Sequence, residues 1–154
     1  MADSSNLTFV KAGKKEVGDI FDLEQACFTS PWTYNMLYTD ICENKITEYV
    51  LCLMDGKAVG YGGMWMILDE AHITNVCAHP DYRRRGIASA VLEWLIRTAG
   101  QKGADRITLE VRVSNVAAMH LYESFGFHVC GKRNSYYSDD GEEAYILRLD
   151  GIAE

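Results

Sequence analysis

The sequence predicts a mixed α/β fold, and three observations carry that expectation. β-rich and helix-periodic segments alternate along the whole chain, Asp55-Gly56 joins two consecutive β-rich runs as a hairpin, and the strand, helix, strand unit from Glu70 to Val113 is long enough for a parallel crossover. At 154 residues and 48% hydrophobic, the chain has the size and apolar content of one domain with one substantial core, here spanning 1–154.

Leu7 to Val10 is a short strand. Glu16 to Phe28 follows as a helix, with Val17, Ile20, Phe21, Leu23, Glu24 and Cys27 at helical spacing, and it should stop before Pro31, which restricts the preceding residue. Trp32 to Glu43 reads as a second helix carrying Met36, Leu37 and Ile41. Glu48 to Met54 and Ala58 to Ile67 form the hairpin strands, and Glu70 to Ala78 adds a third. Ala88, Val91, Leu92, Leu95, Ile96 and Ala99 then recur on one helical face until Gly100 to Gly103 ends the pattern. Arg106 to Val113 alternates, with Ile107, Leu109, Val111 and Val113 on one face and Thr108, Glu110 and Arg112 on the other, so its polar face should open onto a cleft. Ser114 and Asn115 cap a helix over Val116 to Ser124, which Gly126 terminates. His128 to Arg133 and Ala144 to Leu149 close the fold around a polar loop, Ser138 to Glu143.

A net charge of −7 argues against nucleic-acid binding and favours cationic substrates or basic partners. The five cysteines, Cys27, Cys42, Cys52, Cys77 and Cys130, are scattered without a Cys-x-x-Cys pair or clustered histidines. They read as small hydrophobes in a reducing compartment rather than as disulfides or metal ligands. No segment approaches the roughly 20 apolar residues that span a bilayer, and the first residues lack a signal-peptide pattern, so a cytoplasmic protein without a membrane partner is expected.

Against this acidic background the run Arg83-Arg84-Arg85-Gly86 opens directly into the helix that begins near Ile87. A helix start presents N–H groups without partners and partial positive charge, and Gly86 has no Cβ to hinder close approach, so the turn suits an anion such as a phosphate. Downstream, LEVRVSNVAAMHLYESFGF sets a carboxylate, a cap and a tyrosine in fixed relation.

With these elements on the page, the segment NVCAHPDYRRRGIASAVLEWLI and the LEV, SN, A, LYE and GF elements after it resemble the GNAT superfamily of N-acetyltransferases, over essentially the whole chain. Arg83, Gly86 and Ala88 match its pyrophosphate-binding pattern. Within it, FTSPW at Phe28 to Trp32, the complete LEVR to GF series, Arg133 before Tyr136-Tyr137, and Gly141-Glu142-Glu143-Ala144 resemble the RimI-type ribosomal-protein N-terminal-alanine acetyltransferases. Glu143 stands where that group usually has Asp, and Ala88 where it usually has glycine. The resemblance implies the GNAT fold: a central mixed sheet of six to seven strands flanked by about four helices, with the cofactor cleft between splayed parallel strands. It implies acetyl-CoA as cosubstrate, no metal, and direct acetyl transfer to a protein N-terminal amine, with a basic ribosomal protein as partner.

Residue by residue, the resemblance puts the pantetheine arm on Val76, Cys77 and Ala78, the pyrophosphate on Arg83, Arg84, Arg85, Gly86, Ile87, Ala88 and Ser89, and the cofactor also on Asn115. Glu110 matches the general base and Tyr122 the general acid. The chemistry needs a base, because an ammonium has no lone pair to attack a thioester. An α-amine is roughly 10% neutral at pH 7, against well under 1% for lysine. Asn115 and Tyr122 lie two helical turns apart and can share a face. Trp32, Tyr136 and Tyr137 are candidates for the peptide entrance, with Glu142 or Glu143 attracting a cationic chain. Two other functions fit the residues: a GNAT enzyme acting on a small amine, a polyamine or a protein lysine, and a non-catalytic coenzyme A binding module.

Overall fold

The computed structural model describes residues 6–137 and 140–152, so Ser138 of the expected polar loop lies outside the described residues. Seven strands, β1 (Leu7–Lys11), β2 (Thr47–Met54), β3 (Lys57–Ile67), β4 (Glu70–Ala78), β5 (Arg106–Arg112), β6 (His128–Arg133) and β7 (Ala144–Asp150), form one sheet in the order β1-β2-β3-β4-β5-β7-β6. Four helices flank it: α1 (Val17–Cys27), α2 (Tyr34–Tyr38), α3 (Ile87–Gln101) and α4 (Val116–Ser124). This mixed α/β arrangement is the one the sequence predicted.

Two apolar clusters lie on opposite faces of the sheet. Val50 and Cys52 of β2 pack with Val91, Leu92 and Leu95 of α3, while Tyr49 and Leu51 of the same strand pack with Ile20 and Leu23 of α1 and Leu37 of α2. β2 is apolar on both sides because both sides are covered. Each of the fully buried Leu92 and Leu95 side chains contributes about 1.5–3 kcal/mol. α3 approaches β3 closely because Gly62 has no side chain: a Cβ there would meet Val91 Cγ1 at 2.6 Å and Leu95 Cδ1 at 2.8 Å.

The structure departs from the expected elements at α1 and α2. A 3-10 turn at Lys14–Glu16 precedes α1, and α2 is a short helix that continues as a π-helical turn over Thr39–Glu43. Thr33, capping α2 by accepting the Met36 N–H at 3.2 Å, sets its start two residues after Trp32 rather than at it.

All neighbouring strands are antiparallel except β4 and β5, which pair in parallel only through Glu70↔Arg106, Ala71↔Ile107 and His72↔Thr108. Beyond that rung they part. A register shift in the β3–β4 ladder leaves Thr74 as an extra residue between Ile73 and Asn75, and such a bulge bends its strand.

Candidate active site

A cavity of about 550 Å³ opens where β4 and β5 separate. β4 contributes Thr74, Asn75 and Val76, β5 contributes Glu110, Val111 and Arg112, and α4 contributes Asn115, Ala118 and Tyr122. The segment after α1, Phe28 to Trp32, and Tyr137 close the remaining sides. The strand alternation that put Glu110 and Arg112 on the polar face of β5 thus delivers both to the cleft.

Glu110 is 8% exposed at its side chain and is held by groups from three directions. His72 Nε2 of β4 lies 2.9 Å from its Oε1, the Tyr136 hydroxyl donates to the same oxygen at 3.2 Å, and Arg133 Nε lies 4.0 Å from Oε2. Burial pushes the carboxyl pKa up, but the hydrogen bond and charge of His72, with Tyr136 and Arg133, hold it below the usual value. Glu110 is therefore ionised at neutral pH. The opposite holds for Tyr122, whose burial and proximity to Tyr137 push its hydroxyl up to about 12, so it stays a phenol. Tyr122 also packs edge-on against Phe127, with centroids 5.8 Å apart.

Asn115 caps its own helix, its Oδ1 accepting the Ala118 N–H at 3.1 Å. Asn115 and Tyr122 share the face that lines the cavity, as their spacing predicted, and Ala118 lies there with them.

The arginine turn lies outside the cavity lining, at the start of α3. Arg84 and Gly86 are both left-handed, at φ 65° and 72°, and turn the chain into α3. Gly86 is the N-cap and supplies no side-chain acceptor, and the first intrahelical partner is Ala90, whose N–H reaches Gly86 O at 2.9 Å. The N–H groups of Ile87, Ala88 and Ser89 therefore open the helix without an intrahelical or capping partner. The Ile87 side chain points into the core. Arg85 lies over the Tyr82 ring at 5.4 Å. The edges of Val76, Cys77 and Ala78 that face away from β3 have no β5 partner, since the β4–β5 ladder has ended. Unpaired strand edge and uncapped helix start fit the amide-bearing arm and the phosphates of acetyl-CoA.

Trp32 and Tyr137 line the cavity, whereas Tyr136 meets Glu110 and stacks edge-on against Tyr137. Glu143 is spent on the surface, 3.2 Å from Lys132 Nζ of β6, and does not line the cavity. Glu142 accepts the Ser114 N–H at 2.8 Å and faces Arg112 at 3.3 Å; hydrogen bonding from Ser114, with Arg112 adding to it, draws its carboxyl below the ordinary value.

Three site features were not read from the sequence. His72 has no local signal, because its partners Thr108 and Glu110 lie across a crossover. Glu24 did carry one, a carboxylate within the apolar stripe of α1: it is 2% exposed, accepts the Trp32 N–H at 2.8 Å, and binds the Tyr61 hydroxyl. Cys27 at the end of α1 is joined to Cys77 of β4 by a disulfide, with Cα atoms 6.5 Å apart. That corrects the expectation of free thiols for this pair, which α1 packing on β4 brings together from 50 residues apart. Of the rest, only Cys52 is the buried hydrophobe expected; Cys42 and Cys130 are exposed.

The model of the acetyltransferase (GNAT) family matches residues 17–127, which take in α1 to α4 and β2 to β5. The chain belongs to the GNAT family. It is accordingly an N-acetyltransferase that uses acetyl-CoA. It is 34% identical over 131 residues to the ribosomal protein bS18-alanine N-acetyltransferase of Escherichia coli (strain K12), covering 84% of this chain and 87% of that protein. A Bacillus subtilis (strain 168) protein provisionally named for the same activity is 37% identical over 133 residues, covering 86% and 88%. The crystal structure of the ribosomal-protein-S18-alanine N-acetyltransferase from Escherichia coli superimposes with a TM-score of 0.88 at 31% identity, covering 96% of this chain and 95% of that one.

Proposed function

We propose that this GNAT enzyme acetylates the α-amine of a protein N-terminus, the acceptor being the N-terminal alanine of the small-subunit ribosomal protein bS18. The observation that carries this reading is similarity, above 30% and over nearly the full length, to enzymes named for that activity. An acidic chain of net charge −7 also suits a basic protein as acceptor.

Bound acetyl-CoA supplies an activated acetyl thioester, held by the β4 edge at Val76 to Ala78, by Asn115, and by the α3 start from Arg83 to Ser89. Glu110, ionised at neutral pH, takes a proton from the incoming ammonium, directly or through one water. The freed amine forms the new N–C bond as the C–S bond breaks. Tyr122 hydrogen-bonds the sulfur as charge develops on it and provides the proton that leaves with the thiol. Its high pKa keeps that proton available but makes full transfer uphill against an ordinary thiol of pKa about 8.5, so its main service is to stabilise developing thiolate charge. Trp32 and Tyr137 border the acceptor's entry.

Intact-mass analysis after incubation with acetyl-CoA and three acceptors tests the reading: the bS18 N-terminal peptide, a lysine peptide with a blocked N-terminus, and a polyamine. Acetylation of the first alone is expected. Acetylation of only the lysine peptide or the polyamine would overturn it.

A further inference from the structure

His72 is the only residue of β4 that both pairs with β5 and reaches the Glu110 carboxylate. It sits opposite Thr108 on the last rung before the strands part, at the apex of the cleft. Its ring is fixed on every side. Nδ1 lies 2.9 Å from Thr108 Oγ1, Nε2 lies 2.9 Å from Glu110 Oε1, and the Trp65 indole of β3 stacks on it with centroids 4.9 Å apart.

The consequence falls on the two oxygens of Glu110. Oε1 is already used twice, by His72 Nε2–H and by the Tyr136 hydroxyl, whereas Oε2 has only Arg133 Nε at 4.0 Å, beyond hydrogen-bond range. A carboxylate free to rotate would offer either oxygen to a substrate. This one offers Oε2.

We infer that His72 is a positioning residue of the transfer site: with Thr108 behind it, it anchors Glu110 Oε1 and presents Oε2 to the acceptor amine. The inference rests on Glu110 being the base. The proton moves from the ammonium nitrogen to Glu110 Oε2, the N–H electron pair stays on nitrogen as the attacking lone pair, and His72 keeps its own proton on Nε2 throughout. The carboxylic acid formed then returns its proton to solvent. The charged or titratable groups that face this pair are Arg133 at the end of β6 and Tyr136 and Tyr137 after it, beside the neutral Thr108 hydroxyl of β5. A buried base oriented by a second hydrogen-bonding residue, itself held by a third, is an arrangement that sets both direction and ionisation.

The test is a double-mutant cycle on the full chain, read as kcat and KM for the peptide, acetyl-CoA affinity by calorimetry, and thermal midpoint. His72→Phe should lower kcat about tenfold or more, the order expected for loss of a hydrogen bond to a charged group. KM for acetyl-CoA should stay within about twofold. His72→Gln, whose amide can donate to Glu110 and accept from Thr108, should recover most of the loss. In a Glu110→Gln background, His72→Phe should lower kcat no further, because the anchored group is gone. Equal losses in both backgrounds, or no rescue by His72→Gln in a folded variant, would overturn the positioning role. If Glu110→Gln alone leaves kcat unchanged, the base assignment fails instead, and the two failures are separable. Should His72→Phe not fold, His72→Ala with added imidazole replaces it, with restored kcat expected and an unrestored rate counting against the inference.

Discussion

The backbone N–H of Trp32 donates to Glu24 Oε2 at 2.8 Å, tying the segment that closes the cavity to a carboxylate buried beneath it. The other oxygen of Glu24 takes the Tyr61 hydroxyl and faces Asn75 Nδ2 at 3.5 Å. No lysine, arginine or histidine among the described residues forms an ion pair with it. Its neutral donors are thus its whole satisfaction. Glu24→Ala would strand at least two buried donors, and a loss of about 2–5 kcal/mol is expected in urea unfolding. Glu24→Gln, which keeps an acceptor for Trp32, should lose less than half of that, and equal losses would show that the hydrogen bonds are not what matters.

Glu110→Gln should lower kcat by about 10²–10³-fold at pH 7.5 while acetyl-CoA affinity is unchanged. Because burial is outweighed and the folded pKa is lowered, Glu110 is already a carboxylate across pH 5–9 and adds no inflection there. Since Glu110 takes its proton from the ammonium form, kcat/KM for an N-terminal peptide should be level from about pH 5 to 7.5 and show a single limb, a fall above about pH 8 as the α-amine loses that proton in solution. A second limb between pH 5 and 7 that vanishes in the Gln variant would contradict this assignment.

Much of this site was visible before the fold was. The alternation of Arg106 to Arg112 placed Glu110 on a cleft face, the spacing of Asn115 and Tyr122 placed both on one side of α4, and the arginines before Ile87 marked the helix start. These are signals of period and capping, which depend on neighbours within a few residues. His72, the Cys27–Cys77 link and the Tyr61 hydroxyl on Glu24 depend on which strands become neighbours, and no local pattern encodes that. α2 failed for a different reason: Trp32 to Glu43 has helical periodicity, but the Thr33 cap delays its start and the chain widens into a π turn at Thr39.

Tyr122→Phe should reduce kcat by about 10²-fold with little change in KM for acetyl-CoA, since the hydroxyl is needed only once charge builds on sulfur. Steady-state kinetics with saturating peptide measures it. A fall confined to acetyl-CoA affinity would instead assign Tyr122 to cofactor packing.

Gly62→Ala should destabilise the protein by about 1–3 kcal/mol, because the new methyl must displace Val91 and Leu95 and lift α3 from β3. The urea midpoint reads it. Gly18→Ala, on the exposed side of α1 with nothing within 4 Å, is the control and should be neutral or slightly stabilising.

The three-rung pairing of β4 with β5 has a consequence for the enzyme between turnovers. Past His72 and Thr108 the sheet carries two raw edges in its interior, where a protein normally permits them only at its margins. Amides on the cleft sides of β4 and β5 then have no partner in the β4–β5 ladder, so their hydrogens should exchange faster than those of the β2–β3 ladder. In the proposed placement acetyl-CoA lies along that seam and would complete the sheet as a missing strand does. Ligand binding and fold completion become one event, and slowing of exchange at Val76 to Ala78 on adding the cofactor would record it.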